Sequence, residues 1–341
     1  MKAKQLWFVA PQALEIREHE LESPGQGEVL VRSLYSGISA GTELLAYRGL
    51  LPADMQLDAN ISAMKGKGTE YPFPYGYACV GEIIETGPGV NADLIGRKIF
   101  AFQPHASMFT ARQDELIFLP EQMSDLDAVF VANMETACSL LIDADPAPGE
   151  SIAVLGLGVV GQLVSRLLFE LDYEKLYLID SIDQRTEFAL SGQLNEAIRN
   201  TGINPNSSGW QNRLPQPGVD LIIELSGNPE ALNTAIDIAA FAGRIIVGSW
   251  YGEKTANIKL GGKFHRNRLK VISSQVSTIS PEHEKTWTKK TRMEKALESI
   301  IRLKPHTLVT HQFSLEAANE AYDLLDKHPE TAMQIVFNYE D

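Results

Sequence analysis

The feature that most constrains the fold is a glycine-rich loop, GLGVVG, at positions 156–161. The loop directly follows an apolar run, SIAVL, and opens a stretch with helical spacing, VVGQLVSRLLFEL. A glycine loop between a strand and a helix is typical of dinucleotide-binding sheets. The first glycine permits the tight turn, the second lets a pyrophosphate approach the backbone, and the third lets helix and strand pack closely. The N–H groups and the positive dipole end of the helix would then bind phosphate.

A carboxylate stands where such a fold distinguishes between coenzymes. Asp180 closes the next apolar strand, KLYLID, about 20 residues after the last glycine, where it can accept both hydroxyls of an adenosine ribose. It would repel a 2′-phosphate, and the nearest cation is Arg185. We therefore predict NAD as the cofactor, and the alternative is a glycine turn in a nucleotide-free sheet. The predicted contacts are Gly156, Gly158, Val159, Val160, Gly161, Asp180 and Arg185.

The periodicity of the chain changes near residue 125. Before that point, β-rich runs such as EVLVRSLYSG, GEIIETGPGV and GRKIFAF alternate with turns, which indicates a compact and largely antiparallel β domain. A helix with Ser124 as its cap follows. Farther on, the apolar runs SIAVL, KLYLID, VDLIIEL, GRIIVGS and LKVISSQ are separated mostly by helical segments. This second pattern predicts a parallel sheet covered on both faces.

Composition excludes several classes of protein. Of the 341 residues, 44% are hydrophobic and 22% are charged, which is ordinary for a globular protein. No apolar run approaches the roughly 20 residues of a membrane span, and the N-terminal MKAKQLWFVAPQALEI lacks a secretory signal, so we expect a cytoplasmic protein. The net charge of -14 argues against nucleic acid as a partner, because binding phosphates needs a basic face and none is visible in the sequence. Cys79 and Cys138 can form neither a disulfide framework nor a cysteine-rich zinc site.

The order of these regions resembles the medium-chain dehydrogenase/reductase family over essentially the whole chain. The matching segments include GEVLVRSLYSGISAGTE, YGYACVGEIIETGPGV, METACSLL, PGESIAVLGLGVVG, VDLIIELSGNPEALNTAI and FSLEAANEAYDLL. The turn SGISAGTE is similar to the bacteriochlorophyllide dehydrogenase branch, and the rest resembles threonine-dehydrogenase-like members. The resemblance implies an α/β fold with three parts: a GroES-like, β-rich catalytic domain at 1–137, a doubly wound Rossmann NAD-binding domain at 138–276, and a return segment at 277–341 that packs on the catalytic domain.

The same resemblance implies a zinc site whose ligands are replaced. Zinc members of the family carry a cysteine in a GIC turn, a His-Glu pair in a GHE motif, and a further Cys or Glu upstream of the glycine loop. The corresponding positions are Ser39, Tyr77 with Ala78, and Val131 or Ala132. Zinc needs three or four nitrogen, sulfur or oxygen ligands. We therefore predict no bound metal. A side chain must then stabilise the reacting oxygen with a hydrogen bond, in place of the zinc ion.

Two side chains are the main candidates for that role. Tyr77 stands where the family has its zinc-binding histidine, so its hydroxyl is expected to point toward the reacting oxygen; the alternative is a tyrosine that only packs. His105 follows the strand GRKIFAF, whose counterpart in the family leads to the substrate cleft, and histidine exchanges protons near neutral pH. The alternative is a surface histidine or one satisfied within a loop.

Three further residues are weaker catalytic candidates. Glu135 lies in an otherwise apolar helix, where an unpaired carboxylate is costly to bury, so a functional role, an ion pair and a solvated helix face all stay open. Thr42 matches a hydroxyl that zinc members use in a proton relay, and Ser39 either joins it or only shapes the turn. Thr136 matches a family residue near the nicotinamide.

The resemblance also implies cofactor contacts where the later strands of the sheet end. These are Gly227, Gly248, Ser249, Ser274 and Gln275. It further implies a homodimer formed at the edge of the coenzyme sheet. The leading functional hypothesis is a zinc-independent, NAD-linked alcohol dehydrogenase or carbonyl reductase acting on a small molecule. The alternatives are a reductase of activated C=C bonds, which in this family usually favours NADPH, and an NAD-binding protein without turnover.

Overall fold

A computed structural model of the chain describes residues 1–57, 61–171, 173, 175–191 and 202–339. The chain forms two compact units, one of Met1–Ala132 with Ile300–Asp341 and one of Asn133–Ser299. The boundaries predicted from the sequence, 137 and 276, differ from these because one helix crosses each transition between the units: Val131–Ala144 at the first and Lys289–Leu303 at the second.

The secondary structure is mixed. The strands are β1 (Lys2–Ala10), β2 (Ala13–Glu20), β3 (Glu28–Gly37), β4 (Phe73–Pro74), β5 (Cys79–Thr86), β6 (Lys98–Ala101), β7 (Met108–Arg112), β8 (Ile117–Phe118), β9 (Ile152–Leu155), β10 (Leu176–Ile179), β11 (Gly202–Ile203), β12 (Val219–Glu224), β13 (Ala239–Val247), β14 (Lys270–Ser273), β15 (Val309–Phe313) and β16 (Gln334–Asn338). The helices are α1 (Glu43–Arg48), α2 (Asp125–Ala128), α3 (Val131–Ala144), α4 (Val159–Glu170), α5 (Asp183–Ser191), α6 (Ala231–Ile238), α7 (Lys289–Leu303) and α8 (Ala318–Lys327).

The first unit is β-rich. A seven-stranded sheet has the order β15-β16-β3-β5-β6-β8, with β7 paired to β3, and a smaller sheet has the order β2-β1-β4. Most pairs are antiparallel, as in β3 with β5 and β16 with β3. Because side chains alternate across a strand, β1 buries Leu6 and Phe8 on one face and leaves Trp7, between them, only partly buried. Residues of β1, β4, β16 and α8 share one hydrophobic core, and residues of β3, β5, β6 and β7 share a second.

The second unit is built on a six-stranded parallel sheet. Its strand order is β11-β10-β9-β12-β13-β14, with parallel pairing throughout. This is the order of a doubly wound dinucleotide-binding sheet, in which ligands bind beyond the carboxyl ends of the strands where the order reverses. All four residues of β9 are buried, as expected of a strand covered on both faces. The core holds apolar residues from the sheet and from α6.

The predicted fold class, a β-rich domain with a parallel Rossmann-type sheet, is therefore confirmed. Ser124 is the predicted helix cap and accepts a hydrogen bond from the Asp127 N–H, although the predicted single helix is divided into α2 and α3. In the described part of the chain, no helix combines the length and hydropathy that crossing a bilayer requires.

Candidate active site

Three hydroxyl groups meet at the end of β3 in the first unit. The turn after Gly37 leads into α1, whose first residue is Glu43, and it places Ser39 and Thr42 near the side chain of Tyr77. The Tyr77 hydroxyl lies 2.5 Å from Ser39 Oγ and 3.3 Å from Thr42 Oγ1. All three side chains are partly exposed. The structure thus brings together three of the five predicted catalytic residues as one group of hydroxyls.

Beneath this group lies a fully buried hydrogen-bond network. Glu43 and His105 are both 0% exposed, and Glu43 Oε2 lies 2.8 Å from His105 Nε2. Tyr322 donates a short hydrogen bond to the same carboxylate oxygen. Burial raises the pKa of Tyr322 well above its ordinary value, and the Glu43 charge raises it further. Tyr322 therefore keeps its proton and acts as a donor to Glu43.

The other nitrogen of His105 is also bonded. Its Nδ1 lies 2.7 Å from Ser36 Oγ, which in turn lies 2.8 Å from the Tyr339 hydroxyl. Gly76, at φ +114°, lies against the imidazole, and a Cβ there would come within 2.7 Å of His105 Cδ2. Since both ring nitrogens have partners and the side chain is fully buried, His105 is placed to support the site from behind.

The residues at the family's zinc positions do not fit a zinc ion. Ser39 and Tyr77 are hydrogen-bonded to each other through their hydroxyls, and Ala78, Val131 and Ala132 have no ligand atom in their side chains. Across the described ranges, no group of three or more His, Cys, Asp or Glu side chains is arranged to hold a metal ion. We derive no step through a metal.

Glu135 belongs to the second unit and is held in an ion pair. Its Oε1 accepts hydrogen bonds from Arg292 Nη2 at 2.8 Å and Nε at 3.3 Å. Arg292 on α7 is 1% exposed and also donates to Ser139 Oγ and to the carbonyl groups of Val276 and Thr278. Of the alternatives that the sequence left open for Glu135, the contacts correspond to the ion pair.

The glycine loop has the geometry that phosphate binding requires. Gly156, at φ +91°, lies so close to the backbone of Leu225 and Ser226 that a Cβ would come within 2.5 Å of it. A Cβ on Gly161 would lie 2.0 Å from the carbonyl oxygen of Gly156. A Cβ on Gly158 would meet no atom within 4 Å. The first and third glycines are thus required by packing, whereas the second leaves open space beside the start of α4.

Asp180 connects the glycine loop to the end of β10. Its Oδ2 accepts the Leu157 N–H at 2.7 Å, and its Oδ1 accepts the Ile182 N–H at 2.8 Å. Arg185 Nη1 lies 4.0 Å from Asp180 Oδ2, so the nearest cation is directed toward the carboxylate. A carboxylate oxygen has two lone pairs, and each oxygen can therefore accept a further hydrogen bond from a ribose hydroxyl.

The remaining predicted cofactor residues follow the ends of β12, β13 and β14, except Thr136 on α3. The Gly227 N–H donates to Ser249 Oγ at 2.9 Å, and Gly248 leaves room for Leu140 and Leu225. Ser274 Oγ donates to Asp143, and Gln275 is hydrogen-bonded to Ser277. These contacts shape the loops at the carboxyl edge of the sheet, where a dinucleotide binds in such folds.

Two buried carboxylates, Glu43 and Glu224, were not predicted from the sequence. Glu43 is the first residue of α1, and an acidic residue in the first turn of a helix is common at a surface, so its burial could not be predicted from its position. Glu224 is 0% exposed at the end of β12 and accepts a hydrogen bond from the Tyr251 hydroxyl at 2.6 Å. Burial raises the pKa of Tyr251, and Glu224 raises it further. An acid inside the apolar run VDLIIEL was the available signal.

Comparison with known proteins gives relatives over the full length. No protein-family model matches the chain. It is 24% identical to the D-guloside 3-dehydrogenase of Escherichia coli strain K12, across 97% of this chain and 99% of that protein. It is 22% identical to the 2-desacetyl-2-hydroxyethyl bacteriochlorophyllide A dehydrogenase of Cereibacter sphaeroides, across 98% of each. The L-threonine 3-dehydrogenase of Coxiella burnetii is 22% identical, across 89% of this chain and 90% of that one.

Solved structures share the fold. A short chain alcohol dehydrogenase from E. coli CFT073, complexed with NADH, superposes with a TM-score of 0.77 at 19% identity and 99% coverage of both chains. A zinc-binding dehydrogenase from Sinorhizobium meliloti 1021, bound to NADP, superposes with a TM-score of 0.75 at 15% identity and 99% coverage of both. The two structures hold different nicotinamide coenzymes, so likeness of fold does not choose between them.

Proposed function

Because the chain belongs to the medium-chain dehydrogenase/reductase family, with zinc-type alcohol dehydrogenase-like relatives, we propose that it is an NAD-linked alcohol dehydrogenase or carbonyl reductase that works without a metal ion. Its relatives and structural neighbours indicate an oxidoreductase of the alcohol or sugar dehydrogenase type with a nicotinamide cofactor. The observation that carries the metal-free proposal is the cluster of three hydroxyl groups from Tyr77, Ser39 and Thr42. The family resemblance aligns Ser39 and Tyr77 with two of the metal-ligand positions.

The nicotinamide, when bound, accepts a hydride from the alcohol carbon or returns one to the carbonyl carbon. The chain must then orient the substrate and manage the proton on its oxygen. We assign that proton transfer to Tyr77, whose side chain is partly exposed. Its hydroxyl donates to Ser39 Oγ in this structure and would turn to donate to a carbonyl oxygen when a substrate is bound. Ser39 and Thr42 fix the direction of the Tyr77 hydroxyl through their own hydroxyl groups. The glycine loop, with Asp180 beside it, would hold the coenzyme.

The substrate class follows from the relatives that share the fold. D-guloside 3-dehydrogenase and L-threonine 3-dehydrogenase are dehydrogenases named for polar, oxygen-bearing substrates. A hydroxyl-lined site suits a substrate that also carries hydroxyl groups, because each can find a hydrogen-bond partner. We therefore propose a small polyhydroxylated alcohol, and we place the reaction in the cytoplasm.

A substrate panel tests this proposal directly. Butane-2,3-diol, threonine and simple glycosides would be offered with NAD⁺, and quinones and enones with NADPH, while nicotinamide absorbance is followed. Oxidation of one or more alcohols supports the proposal. Turnover confined to activated C=C bonds would instead favour the reductase alternative. Binding of NADH with no turnover across both sets would favour a protein that uses the dinucleotide as a structural ligand.

We predict that NADH binds more tightly than NADPH because of Asp180. Its carboxylate would repel a 2′-phosphate, and the adjacent Arg185 is already directed toward that carboxylate. In fluorescence titrations of both coenzymes, Asp180→Ala should bring the ratio of the NADPH to the NADH dissociation constant closer to one. Asp183→Ala is the matched control, since this acid also lies near the end of β10 but bonds to Asn204. Equal affinities in the unmutated protein would refute the assignment.

We also predict that purified protein carries no stoichiometric zinc. The family's ligand positions hold Ser39, Tyr77, Ala78 and Val131 or Ala132, which together offer only two hydroxyl oxygens. Elemental analysis after dialysis without chelator should find far less than one zinc per chain. One tightly held zinc per chain would contradict the metal-free proposal.

A homodimer is a further prediction, formed through β14. This strand is at the edge of the parallel sheet in the described part of the chain, and all four of its residues are exposed, including the apolar Val271 and Ile272. An exposed apolar edge favours pairing with a second copy. Light scattering at micromolar concentration should give a mass twice that of one 37.6 kDa chain. Val271→Lys should lower the measured mass. A monomeric unmutated protein would count against the prediction.

A further inference from the structure

Glu43 closes the turn that carries the site hydroxyls. Its backbone N–H donates to the Ser39 carbonyl at 2.8 Å, and its Oε1 accepts the Ser39 N–H at 2.8 Å. The two hydrogen bonds run in opposite directions between the same pair of residues. Ser39 and Thr42, which hold the Tyr77 hydroxyl, lie within the segment that these bonds close. The separation of their hydroxyl groups therefore depends on Glu43.

The second carboxylate oxygen anchors this turn to the rest of the unit. Oε2 accepts from His105 Nε2, on the loop between β6 and β7, and from the Tyr322 hydroxyl on α8. Glu43, His105 and Tyr322 are each 0% exposed. The carboxylate thus has three hydrogen-bond partners on three separate segments. A buried carboxylate with this number of donors is held in one position.

We propose that Glu43 is a positioning residue of the active site: it holds Ser39 and Thr42, the two acceptors of the Tyr77 hydroxyl, and so fixes the position of that hydroxyl in the site. This inference rests on the proposed function, in which Tyr77 transfers the proton. Glu43 itself does not touch the substrate, because its side chain is fully buried. His105 is a second positioning residue, which acts by holding Glu43.

The contacts do not make Glu43 and His105 a hydrolytic centre or a proton path. Ser36, His105 and Glu43 are arranged like a nucleophile, a base and an acid, but Ser36 is 0% exposed and no substrate can reach it. The Glu43 carboxylate accepts its hydrogen bond from the backbone N–H of Ser39, not from the Ser39 hydroxyl. A backbone amide does not relay the proton of a hydroxyl group. The network can therefore fix geometry without exchanging protons with Tyr77.

Two uncharged variants of similar size separate positioning from general stability. Glu43→Gln keeps a carbonyl oxygen for the Ser39 N–H, and a neutral His105 can change its tautomer to accept from the new amide. Glu43→Met has similar length but no strong acceptor, so the Ser39 N–H loses its partner. Both lose the charge next to Tyr322. Tyr322→Phe is the control, because it removes one hydrogen bond of the same carboxylate and leaves the Ser39–Glu43 pair intact.

The first measurement needs no substrate. Full-length protein labelled at tyrosine Cζ gives one carbon signal for each of its ten tyrosines, and Tyr77→Phe assigns the signal of Tyr77. Glu43→Met should shift this signal, whereas Glu43→Gln and Tyr322→Phe should leave it near its original position. In the unmutated protein, the Ser39 amide should exchange slowly with solvent. If a variant fails to fold, amide exchange in the unmutated protein still tests the proposal, because a Ser39 amide that exchanges fast would overturn it.

The second measurement uses the alcohol that the substrate panel identifies. Glu43→Met should lower kcat by roughly 10- to 100-fold, the scale of a misplaced catalytic group, with NADH affinity unchanged. Glu43→Gln should stay within a few-fold of the unmutated kcat. If Tyr77→Phe turns over normally, the proposed function fails at its proton donor. If Tyr77→Phe is slow but Glu43→Met is not, the proposed function stands and the positioning role of Glu43 is refuted.

Discussion

Replacing Tyr77 with phenylalanine is expected to lower turnover roughly 10²-fold, the scale of a lost acid or base group, while NADH binding stays unchanged. The variant removes one oxygen atom and keeps the ring that packs edge-on against Tyr75. Ser39 and Thr42 lose the hydroxyl from which they accept a hydrogen bond, and among the residues that the structure describes no group of three or more His, Cys, Asp or Glu side chains could hold a metal ion in its place. Steady-state kinetics with the identified alcohol, together with an NADH titration, measures both effects.

Tyr47→Phe is the control for this substitution. The Tyr47 hydroxyl also belongs to the first unit, but it bonds to Asp323 on α8 instead of to the turn. Its loss should leave kcat unchanged. Normal turnover of Tyr77→Phe would show that backbone donors or another side chain stabilise the reacting oxygen. A loss of turnover in His105→Ala is also expected, and because His105 is fully buried, we attribute it to displacement of Glu43.

Replacing Glu135 with alanine is expected to destabilise the protein by about 3–5 kcal/mol, the usual cost of removing one partner from a buried ion pair. Arg292 would remain 1% exposed with its charge uncompensated by a carboxylate. Its hydrogen bonds to the Val276 and Thr278 carbonyl groups would be kept, and these moderate the loss. Equilibrium unfolding in denaturant measures the change in the free energy of unfolding.

Glu294→Ala is the matched control for Glu135→Ala. Glu294 lies on α7 with Arg292 and pairs with Lys290 at 3.9 Å, but both side chains are largely exposed. Its removal should change the free energy of unfolding by less than about 0.5 kcal/mol. If Glu135→Ala unfolds no more easily than this control, the buried pair does not stabilise the unit. A large loss of kcat at unchanged stability would instead return Glu135 to the catalytic candidates.

Local sequence patterns predicted the fold and the packing of the glycine loop, whereas the coenzyme contacts remain predictions. The glycine loop, the strand before it and the helix after it are contiguous, so the packing roles of Gly156 and Gly161 could be predicted from spacing alone. Asp180 was predictable for the same reason, because the length of one βαβ unit sets its position. The family prediction, made on segments across the whole chain, is likewise confirmed.

The buried networks could not be predicted because their members are distant in sequence. Glu135 meets Arg292 across 157 positions, and Glu43 meets Tyr322 across 279. Spacing along one helix or strand contains no information about such pairs. His105 shows the same limit: its residue type indicated acid–base chemistry, whereas the fold places it at 0% exposure behind the site. The predicted catalytic role of the turn hydroxyls remains a prediction for the experiments above.

The most direct test of the central claim is the rate of alcohol-dependent NADH formation by protein that has been treated with a strong chelator and then freed of it. Elemental analysis of the same sample would establish that zinc is absent. We predict that the treated protein oxidises its alcohol at the rate of untreated protein, and that added zinc does not raise this rate. Activity that disappears with the chelator and returns with zinc would contradict the account.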